Sequence, residues 1–185
     1  MAFTVRSNLL LISVQHTGTR FTQQLLEGWG LRVEQLHTSE DKVFNGGNLV
    51  RPAVIPIRNP LMCFISWWKY EDDYIDQDTD FGHDFFRQWG RLDELLDLRE
   101  KRKSQTIIFY IDKDDPPQLA ERLGVEYKPI SIRPSSHYIS DRFIQPVYKN
   151  FPPALQELAT RWGYGFGETL PTNVEQVVAK LAEGK

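Results

Sequence analysis

The sequence predicts an α/β protein, a single domain over residues 1–185 in three layers (α/β/α) around a parallel central sheet. Three observations predict it. The stretches Leu9–Val14 and Ala53–Ile57 are apolar runs of strand length, apolar on both alternate sets of positions apart from Ser13, as in strands covered on both faces. Each is followed by a short turn and then by a segment with helical spacing, Phe21, Leu25 and Leu26 in the first case. Strands that alternate with helices along a chain pair in parallel, because each helix is the crossover to the next strand.

The elements follow in order. A strand over Leu9–Val14 runs into a polar turn holding Gly18, and a helix is predicted over Thr19–Trp29. A second strand is predicted over Leu31–Leu36 and a third over Ala53–Ile57. Pro60 suits the first position of a helix over Leu61–Tyr70, since the amide it lacks has no partner there. The stripe Leu92, Leu95, Leu96 and Leu98 marks a helix over Phe85–Lys103, whose final charge run Arg99–Lys103 complements the dipole. A fourth strand is predicted over Thr106–Ile111, and helices over Pro117–Leu123, Pro153–Trp162 and Val174–Ala182. Between Val125 and Asn150, prolines and scattered polar residues without a period predict a long surface excursion.

The totals narrow the function classes. At 185 residues the chain can bury a sizeable core, and a net charge of −3 gives no general attraction to nucleic acid or anionic membranes. No nucleic-acid partner and no membrane association are expected. Cys63 is the only cysteine, which excludes an intrachain disulfide and a thiolate zinc cluster and fits a reducing compartment. No apolar run approaches membrane-spanning length and no secretory leader is recognisable, so the cytoplasm is the expected location. The acid-rich segment Glu71–Asp80 places Asp76, Asp78 and Asp80 at the first three ligand positions of an EF-hand loop. Gly82 is one place late, however, and the twelfth position is Arg87, so a solvated segment is expected and no metal site. His83 has no partner at metal-ligand spacing, Cys63 reads as packing, and Trp67, Trp68, Trp89 and Trp162 read mainly as core.

The chemistry concentrates in two strand–turn–helix units. Such a unit aims bare amides and the positive end of a helix dipole at one spot, which favours an anion. In the first, Gln15-His16-Thr17-Gly18-Thr19-Arg20 has neither the Lys-Ser/Thr pair of a Walker A loop nor the G-x-G-x-x-G pattern of a dinucleotide fold. In the second, Arg58 ends the strand, Asn59-Pro60 follows, and Ser66 lies eight positions after Arg58. Arginine offers a planar fork of donors to phosphate oxygens.

These motifs resemble those of the sulfotransferases that use 3′-phosphoadenosine 5′-phosphosulfate (PAPS). The first turn is similar to their 5′-phosphosulfate loop, P-K-S-G-T-T-W or R-S-G-T-T. His16 stands at the Lys/Arg position, Thr17 at the Ser, Gly18 and Thr19 at the identical pair, Arg20 at the second Thr and Phe21 at the aromatic residue. Arg58-Asn59-Pro60 with Ser66 is similar to the R-[DN]-P…S element, in which the Arg and Ser hold the donor's 3′-phosphate. Thr106–Pro117, with the helix that ends at Leu123-Gly124, looks like the family's strand-Tyr-Glu-Asp-Leu segment. Tyr110 then falls where family members contact adenine, although a half-buried strand aromatic fits it equally well.

The resemblance covers about two-thirds of the chain. It implies a P-loop sulfotransferase-like fold and transfer of a sulfuryl group from PAPS to a hydroxyl or amine, leaving 3′-phosphoadenosine 5′-phosphate (PAP). The acceptor would be a small molecule or a glycan or peptide, and no metal is expected. Many members have a catalytic His after the second strand, about twenty residues before the Arg-Asn/Asp-Pro element. His37 fills that place, and an imidazole suits a base at neutral pH. Glu40 and Asp41 are the reserve candidates. The departures are His16, where the family has a permanent cation that Arg20 would have to supply, and the missing R-K-G…G-x-x-K loop, for which Arg133 is the nearest substitute. A P-loop small-molecule kinase and a nucleotide-binding protein without catalysis are the alternative readings.

Overall fold

The computed structural model describes residues 8–64, 66–67, 81–131 and 153–164. The chain divides into two compact units, one of residues 1–58 and 80–134 and one of residues 59–79 and 135–185.

The first unit holds a four-stranded sheet: β1 (Leu9–Ser13), β2 (Val33–His37), β3 (Ala53–Ile57) and β4 (Thr106–Tyr110). All pairs are parallel and the order is β2-β1-β3-β4. The two central strands, β1 and β3, are buried at every position, whereas the edge strands alternate or are half-buried. This is the distribution that continuous apolar runs demand. From β1 the chain moves outward to β2; it then crosses β1 to reach β3 and continues outward to β4. The direction of winding therefore reverses between β1 and β3, and a crevice opens outside their carboxyl ends.

One face of the sheet packs on α1 (Thr19–Gly28) and α5 (Pro116–Leu123). Leu9, Leu11, Val54, Ile107 and Phe109 from the strands meet Leu25, Leu26 and Trp29 from α1 and Leu119, Ala120 and Leu123 from α5. Strand alternation turns Leu10, Ile12, Ile55 and Ile57 to the opposite face, and all four are fully buried. There α4 (Phe81–Lys101) contributes Phe85, Trp89, Leu92 and Leu95, also fully buried. Its Gln88 accepts a bond from the Gln15 amide, and its Arg99 donates to Thr106 at the start of β4.

Strands β1 and β4 each end one residue earlier than expected, at Ser13 and Tyr110, and the second strand shifts at both ends. Leu31 belongs to the end of α1 and not to β2: with Gly30 at φ 84°, Gly30 N–H bonds Glu27 C=O and Leu31 N–H bonds Leu26 C=O, closing the helix in a Schellman motif. The second strand thus starts at Val33 and extends to His37, paired with Ser13. Two short elements not anticipated lie between β2 and β3, a 3₁₀ turn at Asp41–Phe44 and the helix α2 (Gly46–Val50), which is capped by the Asn45 side chain. The helix α4 also begins four residues earlier than expected, at Phe81.

In the second unit, residues 60–64 and 66–67 belong to α3, and α6 spans Pro153–Arg161. Asn59 caps α3, its Oδ1 accepting from the Leu61 amide at 3.0 Å, and Pro60 takes the first helical position as expected. Met62, Cys63, Phe64 and Trp67 are buried in it. The expected helix Val174–Ala182, the segment Glu71–Asp80, Trp68 and Arg133 lie outside the described residues.

Candidate functional site

The two β-strand ends that flank the crevice carry the two expected anion turns. After β1 the backbone enters the left-handed region twice, at His16 (φ 63°) and at Gly18 (φ 85°). A left-handed histidine costs on the order of 1 kcal/mol, and such strain gathers at ligand sites. Gly18 needs its hydrogen side chain for two reasons, the positive φ and the approach of Ile111, whose Cδ1 would overlap any Cβ placed there. Gly18 is the N-cap of α1 but offers no side-chain cap. Thr22 N–H bonds Gly18 C=O, while the amides of Gly18, Thr19, Arg20 and Phe21 have no protein acceptor among the described residues. A left-handed residue followed by a helical one makes a concave nest of amides that suits an anion.

The side chains of this turn serve its shape. Thr17 Oγ1 donates to Val14 C=O at 2.8 Å and Thr19 Oγ1 donates to Ser13 Oγ at 2.9 Å; both residues are buried. Phe21 packs against the core cluster. The backbone amides of Gly18–Phe21 and the exposed Arg20 side chain are left to meet a ligand, and the Thr17 amide bonds Val14 C=O; His16 is half-buried.

At the end of β3, Arg58 is about a third exposed, with Nε 3.9 Å from Asp112 Oδ1. Asp112 follows β4 by two residues, on the same loop as Ile111. Tyr110 closes β4 beside Ile57, half-buried, with Lys113 Nζ 5.4 Å from its ring centroid and its amide bonded to Asp114 Oδ2. The loops after β1, β3 and β4 thus meet at one edge of the sheet: Ile111 touches Gly18, and Asp112 faces Arg58. Ser66, half-buried in α3, belongs to the second unit.

The loop after β2 is fastened from α4. Arg91 Nε donates to Thr38 C=O, its Nη2 pairs with Asp41 at 2.8 Å, and its guanidinium lies over the Phe44 ring. His37, at the end of β2, has both ring nitrogens engaged: Nδ1 lies 3.3 Å from Ser13 Oγ and Nε2 2.8 Å from Gln35 Nε2. Its backbone N–H donates to Glu40 Oε1 at 2.7 Å. Burial opposes ionisation of Glu40, but Lys42 at 2.8 Å and the His37 amide outweigh it and hold the carboxyl below its ordinary value. A carboxylate stabilised in this way is a weaker base.

Ser13, Gln88, Arg91 and Asp112 therefore shape the site without having been singled out from the sequence. Ser13 and Gln88 carried a signal, each being a polar residue at a position that apolar spacing assigns to the core. Nothing in the local sequence marks Arg91 or Asp112. Among the described residues no group of three or more His, Cys, Asp and Glu side chains could hold a metal ion, and no helix is long and apolar enough to cross a membrane. Comparison with family models, with curated proteins and with solved structures returned no match.

Proposed function

We propose that the protein binds an adenine nucleotide with two phosphate positions, PAPS or its product PAP, and acts as a sulfotransferase. The single observation that carries this reading is the uncapped nest at Gly18 and Thr19, at the switch point of a parallel sheet, with Arg58 ending the adjacent strand. The amides of Gly18–Phe21 would take the 5′-phosphosulfate, with Arg20 supplying charge that His16 lacks when neutral. Arg58 would take the 3′-phosphate, and Tyr110 the adenine. In the transfer the sulfur–oxygen bond to the phosphate breaks, a bond to the acceptor oxygen or nitrogen forms, and the acceptor's proton passes to a base. Fixed donors that match the charge spread over those oxygens would supply most of the acceleration.

A second reading, nucleotide binding without transfer, is favoured by one observation: the base positions are compromised. His37 has side-chain partners on both nitrogens and Glu40 is held in its ionised form.

Calorimetric titration with PAP, ATP and ATP plus magnesium tests the reading. PAP is expected to bind without metal. Arg58→Ala should weaken PAP by about 2–3 kcal/mol and adenosine 5′-phosphosulfate, which lacks the 3′-phosphate, far less. Equal losses for the two ligands would remove the 3′-phosphate assignment, and magnesium-dependent ATP binding without PAP binding would favour a kinase. Turnover of PAPS, or its absence despite PAP binding, separates the transferase from the binding protein.

A further inference from the structure

The histidine at the end of β2 is linked to the anion turn by a chain of side chains. Ser13 Oγ, in a residue with no exposed surface, lies 3.3 Å from His37 Nδ1 and accepts from Thr19 Oγ1 at 2.9 Å. Thr19 is the first residue of α1 and directly follows the left-handed Gly18. The network therefore spans the end of β2, the end of β1 and the first turn of α1. Because Ser13 is fully buried, losing a partner would leave its hydroxyl short of a hydrogen bond inside the protein.

We propose that His37 is a positioning residue that holds the α1 turn through Ser13 and Thr19. Its effect on ligand binding rests on the proposed nucleotide reading; the hold on the turn does not. Ser13 Oγ and His37 Nδ1 are partners in either tautomer of the ring, and Nε2 is held by the Gln35 amide on the same strand, so the imidazole is fixed at both nitrogens.

The test uses the full chain, with PAP as the probe. Wild type, His37→Ala and His37→Asn are compared; asparagine keeps a hydrogen-bonding group near the Nδ1 position. Hydrogen exchange of the 17–21 amides is followed in the ligand-free proteins. His37→Ala should weaken PAP roughly tenfold and speed exchange at 17–21, the loss expected for one buried hydrogen-bond link. His37→Asn should restore most of both. Unchanged PAP affinity and exchange in His37→Ala, with Arg58→Ala still impaired, would overturn the positioning role and leave the nucleotide reading intact. Unchanged PAP affinity and exchange in both variants, with PAPS turnover lost by roughly 10²–10⁴-fold, would overturn the positioning role and make His37 the base instead. Failure of wild type to bind PAP, with exchange at 17–21 still faster in His37→Ala and restored in His37→Asn, would overturn the nucleotide reading and support the hold on the turn.

Discussion

The two ends of the sheet each carry an arginine, and the two are used in opposite ways. At the amino-terminal edge Arg99 is almost completely buried, and its guanidinium donates to Thr106 Oγ1 and to the carbonyls of Asn48, Arg51 and Gln105. Burial lowers its pKa to about 10, and no carboxylate is among those acceptors. At the carboxyl-terminal edge Arg58 is about a third exposed and faces a carboxylate at a long 3.9 Å, next to a helix start whose amides lack protein acceptors among the described residues. One end satisfies backbone carbonyls with a side chain, and the other leaves backbone amides for something else. An arginine surrounded by neutral oxygens is a fastening, whereas one on the edge that carries open amides, 3.9 Å from a carboxylate, sits where an anion would be exchanged.

The largest effect should come from the fastening. Arg99→Ala removes the guanidinium from three half-buried carbonyls at once, leaving those of Asn48 and Gln105 only their backbone donors, and should destabilise the fold by about 3 kcal/mol. Arg99→Lys should recover less than half, since an ammonium cannot reproduce the planar fork. Because Arg99 is charged in folded and unfolded chains throughout the neutral range, the loss should not vary between pH 6 and 8. Urea unfolding measures it. A loss below about 1 kcal/mol would mean that water replaces the guanidinium and that the contrast between the two ends is not one of burial.

At the other end, Gly18→Ala should cost about 2 kcal/mol, because it adds left-handed strain to a collision with Ile111. Gly30 is the internal control: its φ is also positive, but nothing lies within 4 Å of a Cβ built there. Gly30→Ala should therefore cost only the conformational part, about 1 kcal/mol. Equal losses at the two glycines would show that the loop after β4 yields freely, and that the Gly18–Ile111 contact does not fix the edge where the three loops meet.

The layout of the fold was legible because it rests on local signals. Apolar runs of strand length, Pro60 before a helix and Leu123-Gly124 at a helix end each determine their element with residues close by. The region between β2 and β3 was not legible, for a physical reason. Gly46 and Gly47 open α2 against propensity, and the helix is held by distant groups, Arg99 on the Asn48 carbonyl and Ser104 on that of Leu49. The turn after β1 was recognisable from Gly18, but the use of its side chains was not. Thr17 and Thr19 look like ligand donors in sequence, yet their hydroxyls serve Val14 and Ser13. Likewise nothing near Arg58 in sequence announces Asp112, which reaches it only because β3 and β4 are neighbours.

That carboxylate gives the next prediction. Any anion bound at Arg58 must compete with Asp112, so Asp112→Asn should strengthen PAP binding about three- to tenfold, the scale of a partly exposed ion pair. The gain should vanish in the Arg58→Ala background, because the two residues act on one another. A gain of the same size without Arg58 would mean that Asp112 repels the ligand directly, and Arg58 would lose its place in the comparison.

The smallest effect concerns the loop after β2 and is a matter of pH. Glu40 is held below its ordinary pKa of 4.5, since Lys42 and the His37 amide favour the carboxylate more than burial disfavours it. A group whose folded pKa is depressed contributes stability above the unfolded pKa and loses it as pH falls through the folded value. Glu40→Gln should thus leave the wild-type acid limb slightly flatter below about pH 4.5 and cost a few tenths of a kcal/mol at neutral pH, as for a surface pair. Its more telling consequence is at His37, whose amide Glu40 receives. Glutamine keeps an oxygen for that amide but removes the charge, so exchange at residues 17–21 should stay near wild type if Glu40 only supports the loop. Faster exchange there would extend the side-chain network from the turn, through His37, to Glu40, and would make the open end of the sheet as tightly linked as the closed one.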